Sequence, residues 1–160
     1  MPNSTLKFIV ATLLLIGFLY SCKEKEKRPR EEKAMKSLEL LGVDREFSDM
    51  SKKEGMKAAY LHFLDDSNGV LLRADHLPIV AANAIDYITQ QNDNTYTLSW
   101  DPHRAEIAES GEMGYTYGIY LIRPKAMDTS IYGTYTNFWK KNALGKWRLM
   151  MNSYNEGIGE

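Results

Sequence analysis

The sequence predicts an α+β domain in which helices come first and a curved, mostly antiparallel sheet packs over them. Three observations carry this. Apolar residues recur every three or four positions between Leu38 and Leu64, the spacing of a helical face. From Tyr96 onward they recur every second position, the spacing of a strand with one buried side. The later segments are joined by short turns, which favours sequential antiparallel pairing. A chain of 160 residues with 44% hydrophobic content has room for one domain with an ordinary core.

In chain order, Leu38, Leu40 and Leu41 open a first helical segment that continues through Phe47 and Met50. Gly55 marks a break, and Met56, Ala59, Tyr60, Phe63 and Leu64 then fall on one face of a second helix. The cluster from Asp65 to Gly69 reads as a turn, and Val70 to Leu72 as a short strand. Pro78 to Ala82 leads into a short helix around Asn83 to Ile88, with Asn83 as its expected cap. Tyr96, Leu98 and Trp100 then alternate with Thr97, Ser99 and Asp101, and this strand resumes from Ala105 to Glu109 after a bend at Pro102. Further strands are expected over Met113 to Ile122, Ile131 to Lys140 and Lys146 to Asn152. Helices followed by such a meander define the α+β class.

The N-terminus departs from this globular texture. Lys7 precedes an uncharged apolar run from Phe8 to Tyr20, ending at Ser21 and Cys22, which reads as a secretory signal. At about 1.5 Å per residue the run spans about 20 Å, short of the roughly 30 Å hydrocarbon layer, so cleavage is favoured over a permanent span. Leu19-Tyr20-Ser21-Cys22 resembles the lipobox of bacterial lipoproteins, in which the cysteine receives a diacylglycerol. Cys22 is also the only cysteine, so no internal disulfide accounts for it. The expected organisation is a signal peptide over 1–21, a lipidated Cys22 with a charged tether over 22–37, and the domain over 38–160. The expected location is the bacterial cell envelope, with the domain outside the cytoplasm and the membrane as a partner through Cys22.

Composition excludes one class. A formal charge of −1 and a pI near 6.3 give no general attraction to nucleic acid. His62, His76 and His103 stand apart in sequence without zinc-ligand spacing, so no metal is expected. No Gly-rich strand-to-helix loop marks a nucleotide or other cofactor site, and Gly111, Gly114, Gly118 and Gly133 read as sheet-curvature and turn residues.

Several motifs in order carry a family resemblance: Asp44-Arg45-Glu46-Phe47, Leu98-Ser99-Trp100-Asp101-Pro102, Ser110 to Gly118, Gly133-Thr134-Tyr135, Phe138-Trp139-Lys140-Lys141 and Gly145-Lys146-Trp147-Arg148. From Leu38 to Asn155 the chain resembles the DUF4440 group of the NTF2-like (SnoaL-like) superfamily. The resemblance implies a cone-shaped half-barrel, closed by helices and open at one end into an apolar cavity. Strand faces nominate Trp100, Tyr115, Tyr117, Tyr135 and Trp139 as its lining, with plain core or dimer contacts as the alternative. Enzymes of this superfamily place acids and bases inside the cone, and the candidates here are His62, Asp66, His76 and Asp101. Relatives often carry Asp where this chain has Asn152. Three functions follow: a lipid-anchored module that binds a small apolar or amphipathic molecule, a proton-transfer enzyme (isomerase, dehydratase or hydrolase), or a dimerising scaffold.

Overall fold

The computed structural model describes residues 30–157, so the signal segment, Cys22 and the first part of the tether lie outside the described residues. Among the described residues helix α1 covers 30–54, α2 Met56–Phe63 and α3 Ala82–Gln90. The strands are β1 Val70–Leu72, β2 Ile79–Val80, β3 Tyr96–Ile107, β4 Met113–Pro124, β5 Ile131–Lys141 and β6 Trp147–Glu156. They form one open sheet in the order β2-β1-β6-β5-β4-β3, antiparallel throughout except where β1 runs parallel to β6.

Three local features differ from the sequence expectation. The described residues 30–37, inside the expected tether, are helical, and residues 30–35 are exposed. Glu32 and Lys36 stand four apart there, a spacing that supports a helix without burial. The two-residue β2 is too short to leave a periodic signal. Asn83 is not the cap of α3: that position belongs to Ala81, at φ +50, with no side-chain cap, and Asn83 falls within the first turn.

Helix α1 turns Leu40, Asp44, Phe47, Ser48 and Ser51 inward, all buried and spaced by three or four. Phe47 is the hub of the core, with ring centroids 5.0 Å from both Tyr60 and Phe63, 4.5 Å from Trp100 and 6.0 Å from Trp139. The two serines meet the edge strand β3. Ser48 Oγ donates to the Trp100 carbonyl and accepts from the Trp100 amide, both at 2.7 Å, while Ser51 Oγ donates to the Leu98 carbonyl at 2.8 Å. The helix thus supplies hydrogen bonds that a neighbouring strand would otherwise make, which covers an exposed edge. At the other end of the core, Glu39 accepts from Trp147 Nε1 at 2.8 Å and pairs with Lys141 at 3.2 Å, pinning α1 to the β5–β6 hairpin.

Two irregularities bend the sheet. Between Pro102 and Arg104 the β3–β4 register shifts, so the buried positions change from Trp100's parity to that of Ala105 and Ile107. A second shift, between Phe138 and Trp139 in the β5–β6 pair, lets both Leu149 and Asn152 point inward. Gly133 admits no side chain, because a Cβ there would lie 2.2 Å from the Asn155 carbonyl oxygen and 2.5 Å from the Tyr120 ring.

Candidate functional site

The bent sheet and the helices enclose a cavity of ≈ 110 Å³, open on one side. Helix α2 supplies Met56 and Tyr60, and α3 supplies Tyr87 and Ile88. Strand β3 presents Tyr96, Leu98 and Trp100, β4 presents Tyr120 and Ile122, and β5 Tyr135 and Asn137. Asn152 and Tyr154 from β6 and Arg73 at the end of β1 complete the polar side. Mostly apolar walls with a few convergent polar groups are the usual makeup of a small-molecule site.

Behind the wall stands a buried polar chain centred on Asp44. Its Oδ1 accepts from Trp100 Nε1 at 3.0 Å and from Asn137 Nδ2 at 2.9 Å, and its Oδ2 accepts from the Tyr135 hydroxyl at 2.8 Å. Asn137 Oδ1 in turn accepts from Asn152 Nδ2 at 2.7 Å, and Asn152 Oδ1 accepts from the Tyr60 hydroxyl at 2.9 Å. Nearby, Trp139 Nε1 donates to Thr116 Oγ1 at 3.0 Å. Among the described residues no buried side-chain nitrogen or oxygen lacks a partner. A chain satisfied in this way fixes side-chain orientations, because breaking any link strands a buried donor or acceptor.

Burial sets the ionisation of these groups. It pushes the Asp44 carboxyl above the ordinary carboxylate range, against the opposing hydrogen bonds from Thr116, Trp100, Tyr135 and Asn137. Burial also carries the Tyr135 phenol far above its ordinary value, assisted by the charge of Asp44. Tyr60, Tyr96, Tyr120 and Tyr154 are raised in the same direction, chiefly by loss of water. These five phenols are therefore held in the neutral form and act as hydrogen-bonding groups rather than bases.

Of the five aromatic residues nominated by the sequence, the structure brings Trp100 and Tyr135 to the cavity. Trp139 points inward beside them, yet it is completely buried against Phe47 and Phe63 and belongs to the core. Tyr115 and Tyr117 lie on the opposite, outer face, 39% and 40% exposed. The reason is strand parity: Thr116, Gly118 and Tyr120 take the inner positions of β4, and a shift of one residue exchanges the two faces.

None of the four acid–base candidates lines the cavity. His62 is on the solvent side of α2 with its ring against Phe63, and Asp66 sits in the turn after α2, accepting from Ser67. Asp101 faces outward because Trp100 faces inward. His76 comes nearest: it is exposed in the loop after β1, with its ring 5.6 Å from that of Tyr87 on the cavity wall. Among the described residues no three His, Cys, Asp or Glu side chains converge on a metal-sized site.

Sequence reasoning missed Arg73, Tyr60, Tyr120 and Tyr154 as wall residues. Tyr120 was within reach of the alternation once the inner parity of β4 was known. Arg73 follows a three-residue strand and carries no periodic signal.

The comparisons with solved structures fit this geometry. A ketosteroid isomerase-like protein from Erwinia carotovora atroseptica aligns with a TM-score of 0.60 at 12% identity, covering 76% of this chain and 97% of that one. A nuclear transport factor 2 (NTF2-like) superfamily protein from Salmonella enterica serovar Typhimurium aligns at 0.57 and 12% identity, covering 79% and 94%. The chain has the NTF2-like fold. A third match is the S. rosetta CaMKII hub, at 0.58 and 16% identity, covering 76% and 96%. No protein-family model and no curated protein matches the sequence. At these identities the likeness establishes the cone and its helices, and the chemistry is to be read from the wall itself.

Proposed function

We propose that this chain is a lipid-anchored envelope protein whose NTF2-like domain, of the DUF4440 type, binds a small apolar or amphipathic molecule in its cone. The observation that carries the binding role is the cavity: Leu98, Trp100, Tyr120 and Ile122 form an apolar body, with Arg73, Asn152 and Tyr60 at one side as polar anchors. Proton-transfer chemistry is less well supported. Among the described residues the wall holds no carboxylate or imidazole, and Asp44 stands behind Tyr135 and Asn137 with both oxygens occupied. A general base needs reach to its substrate, and Asp44 lacks it in this arrangement.

Attachment to the membrane rests on the lipobox-like Leu19-Tyr20-Ser21-Cys22 and the apolar run before it. Metabolic labelling with an alkyne fatty acid tests it. The native chain is expected to take label and fractionate with membranes, and Cys22→Ala is expected to lose both; unchanged fractionation of that variant refutes the lipid anchor.

The outer sheet face supports pairing of two copies. Tyr115 stacks at 6.5 Å from Tyr117 and lies 5.8 Å from Phe138, with Met113 also exposed on the same strand. An exposed aromatic strip of this kind is expected to be covered in the assembled protein.

A further inference from the structure

Arg73 is the one formally charged residue among the described residues of the cavity wall. It is held in place from two sides. Both Nη1 hydrogen bonds go to main-chain carbonyls, of Leu72 at 2.9 Å and of Asn152 at 3.2 Å, and the guanidinium carbon lies 4.6 Å from the centroid of the Tyr154 ring. The Tyr60 hydroxyl is a further polar neighbour. No carboxylate among the described residues pairs with Arg73. The buried Asp44 is removed from it along the hydrogen-bonded chain by Asn137 and Asn152.

A guanidinium carries five N–H donors, so the two Nη1 bonds to carbonyls leave donors on the Nε–Nη2 edge, whose parallel N–H bonds match the spacing of a carboxylate. Carbonyls on Nη1 and a ring beneath the plane orient that edge without neutralising its charge. The apolar part of the wall sets the size of what is attached. A dry cavity of about 150 Å³ accommodates benzene, so ≈ 110 Å³ with one open side takes a body no larger than a single ring or a short branched chain.

We infer that Arg73 is the anion seat of the cone and that the ligand class is a small monocarboxylate with a one-ring or short aliphatic body. This rests on the binding role proposed above and names the chemistry of the bound molecule.

Isothermal titration calorimetry of the full chain with three matched probes tests it: phenylacetate, phenylacetamide and 2-phenylethanol. The native protein is expected to bind phenylacetate at least tenfold more tightly than phenylacetamide, since a charge-assisted fork replaces an ordinary hydrogen bond. Arg73→Gln is expected to bring phenylacetate down to the level of the amide and leave 2-phenylethanol within about twofold, while Arg73→Lys keeps part of the preference as a point charge. Equal binding of acid and amide by the native protein overturns the anion seat and leaves the cavity's binding role standing. Binding of none of the three overturns both. The comparison on native protein decides the matter even where Arg73→Gln does not fold.

Discussion

Replacing Asp44 by alanine removes the acceptor on which three donors from two strands converge. Trp100 Nε1 from β3, and Tyr135 and Asn137 from β5, all donate to this one carboxylate on α1. A buried donor left without a partner costs about 1–3 kcal/mol, so three give about 3–9 kcal/mol before relief by water. All three side chains also border the cavity, which is open on one side, so water can reach some of them and the lower part of that range applies. The expected loss for Asp44→Ala is about 3–5 kcal/mol, a large share of the roughly 5–15 kcal/mol that holds a domain together. Asp44→Asn keeps an oxygen for Trp100 and Asn137 and requires only that the Tyr135 hydroxyl rotate to accept, so about 1–2 kcal/mol is expected. Urea unfolding at pH 7, followed by tryptophan fluorescence, measures both.

The pH dependence of that comparison has a definite sign. Burial raises the Asp44 carboxyl in the folded state above its unfolded value near 3.8, so the folded protein binds this proton more tightly. The stability this group contributes therefore declines as pH rises from about 4 through the folded value and is flat beyond it. Asp44→Asn lacks the slope, so the advantage of the native protein over it is expected to shrink with rising pH in that window. A cost below about 1 kcal/mol for Asp44→Ala refutes the picture of Asp44 clamping α1 to the sheet, and an advantage that grows with pH refutes burial as the dominant influence on its ionisation.

Three further outcomes are expected. Gly133→Ala drives a Cβ into the Asn155 carbonyl and the Tyr120 ring, so calorimetry is expected to show a melting temperature lower by several degrees, with a loss of about 2 kcal/mol or more. Asn152→Asp replaces the amide that donates to Asn137 at 2.7 Å with an acceptor facing an acceptor. Its stability at pH 7 is expected to fall by about 2 kcal/mol and to recover in acid, where a protonated carboxyl can donate, as urea titrations at pH 7 and pH 5 would reveal. Tyr115→Glu combined with Tyr117→Glu is expected to convert a dimer to a monomer in sedimentation velocity while leaving the far-UV spectrum intact; a native protein that already sediments as a monomer rules out outer-face pairing.

Periodicity made most of the architecture legible. The change from a spacing of three or four to a spacing of two separates the helices from β3–β6, and the breaks at Gly55 and Pro102 fall where α1 meets α2 and where β3 bulges. The inner face of β4 was not legible, since Tyr115 and Tyr117 alternate as regularly as Thr116, Gly118 and Tyr120. Only the pairing with β3 and β5 decides which set points in. The same holds for Asp44: in sequence it is one of several acids on α1, with Glu39, Glu46 and Asp49, and looks like solvent-facing charge until Trp100, Tyr135 and Asn137 arrive from strands more than fifty residues away. Arg73, the cation of the wall, depends on a parallel β1–β6 contact that no local pattern announces.

The three tryptophans offer the most direct test of the cone as a binding site, because each indole N–H has a different partner. Trp100 borders the cavity and donates to Asp44, Trp139 donates to Thr116 within the core, and Trp147 donates to Glu39 away from it. In an NMR titration of the ¹⁵N-labelled chain with 2-phenylethanol, the Trp100 indole signal is expected to shift in a saturable way while those of Trp139 and Trp147 stay nearly in place. Three unmoved signals, or three that drift together without saturation, would contradict a ligand site in the cone.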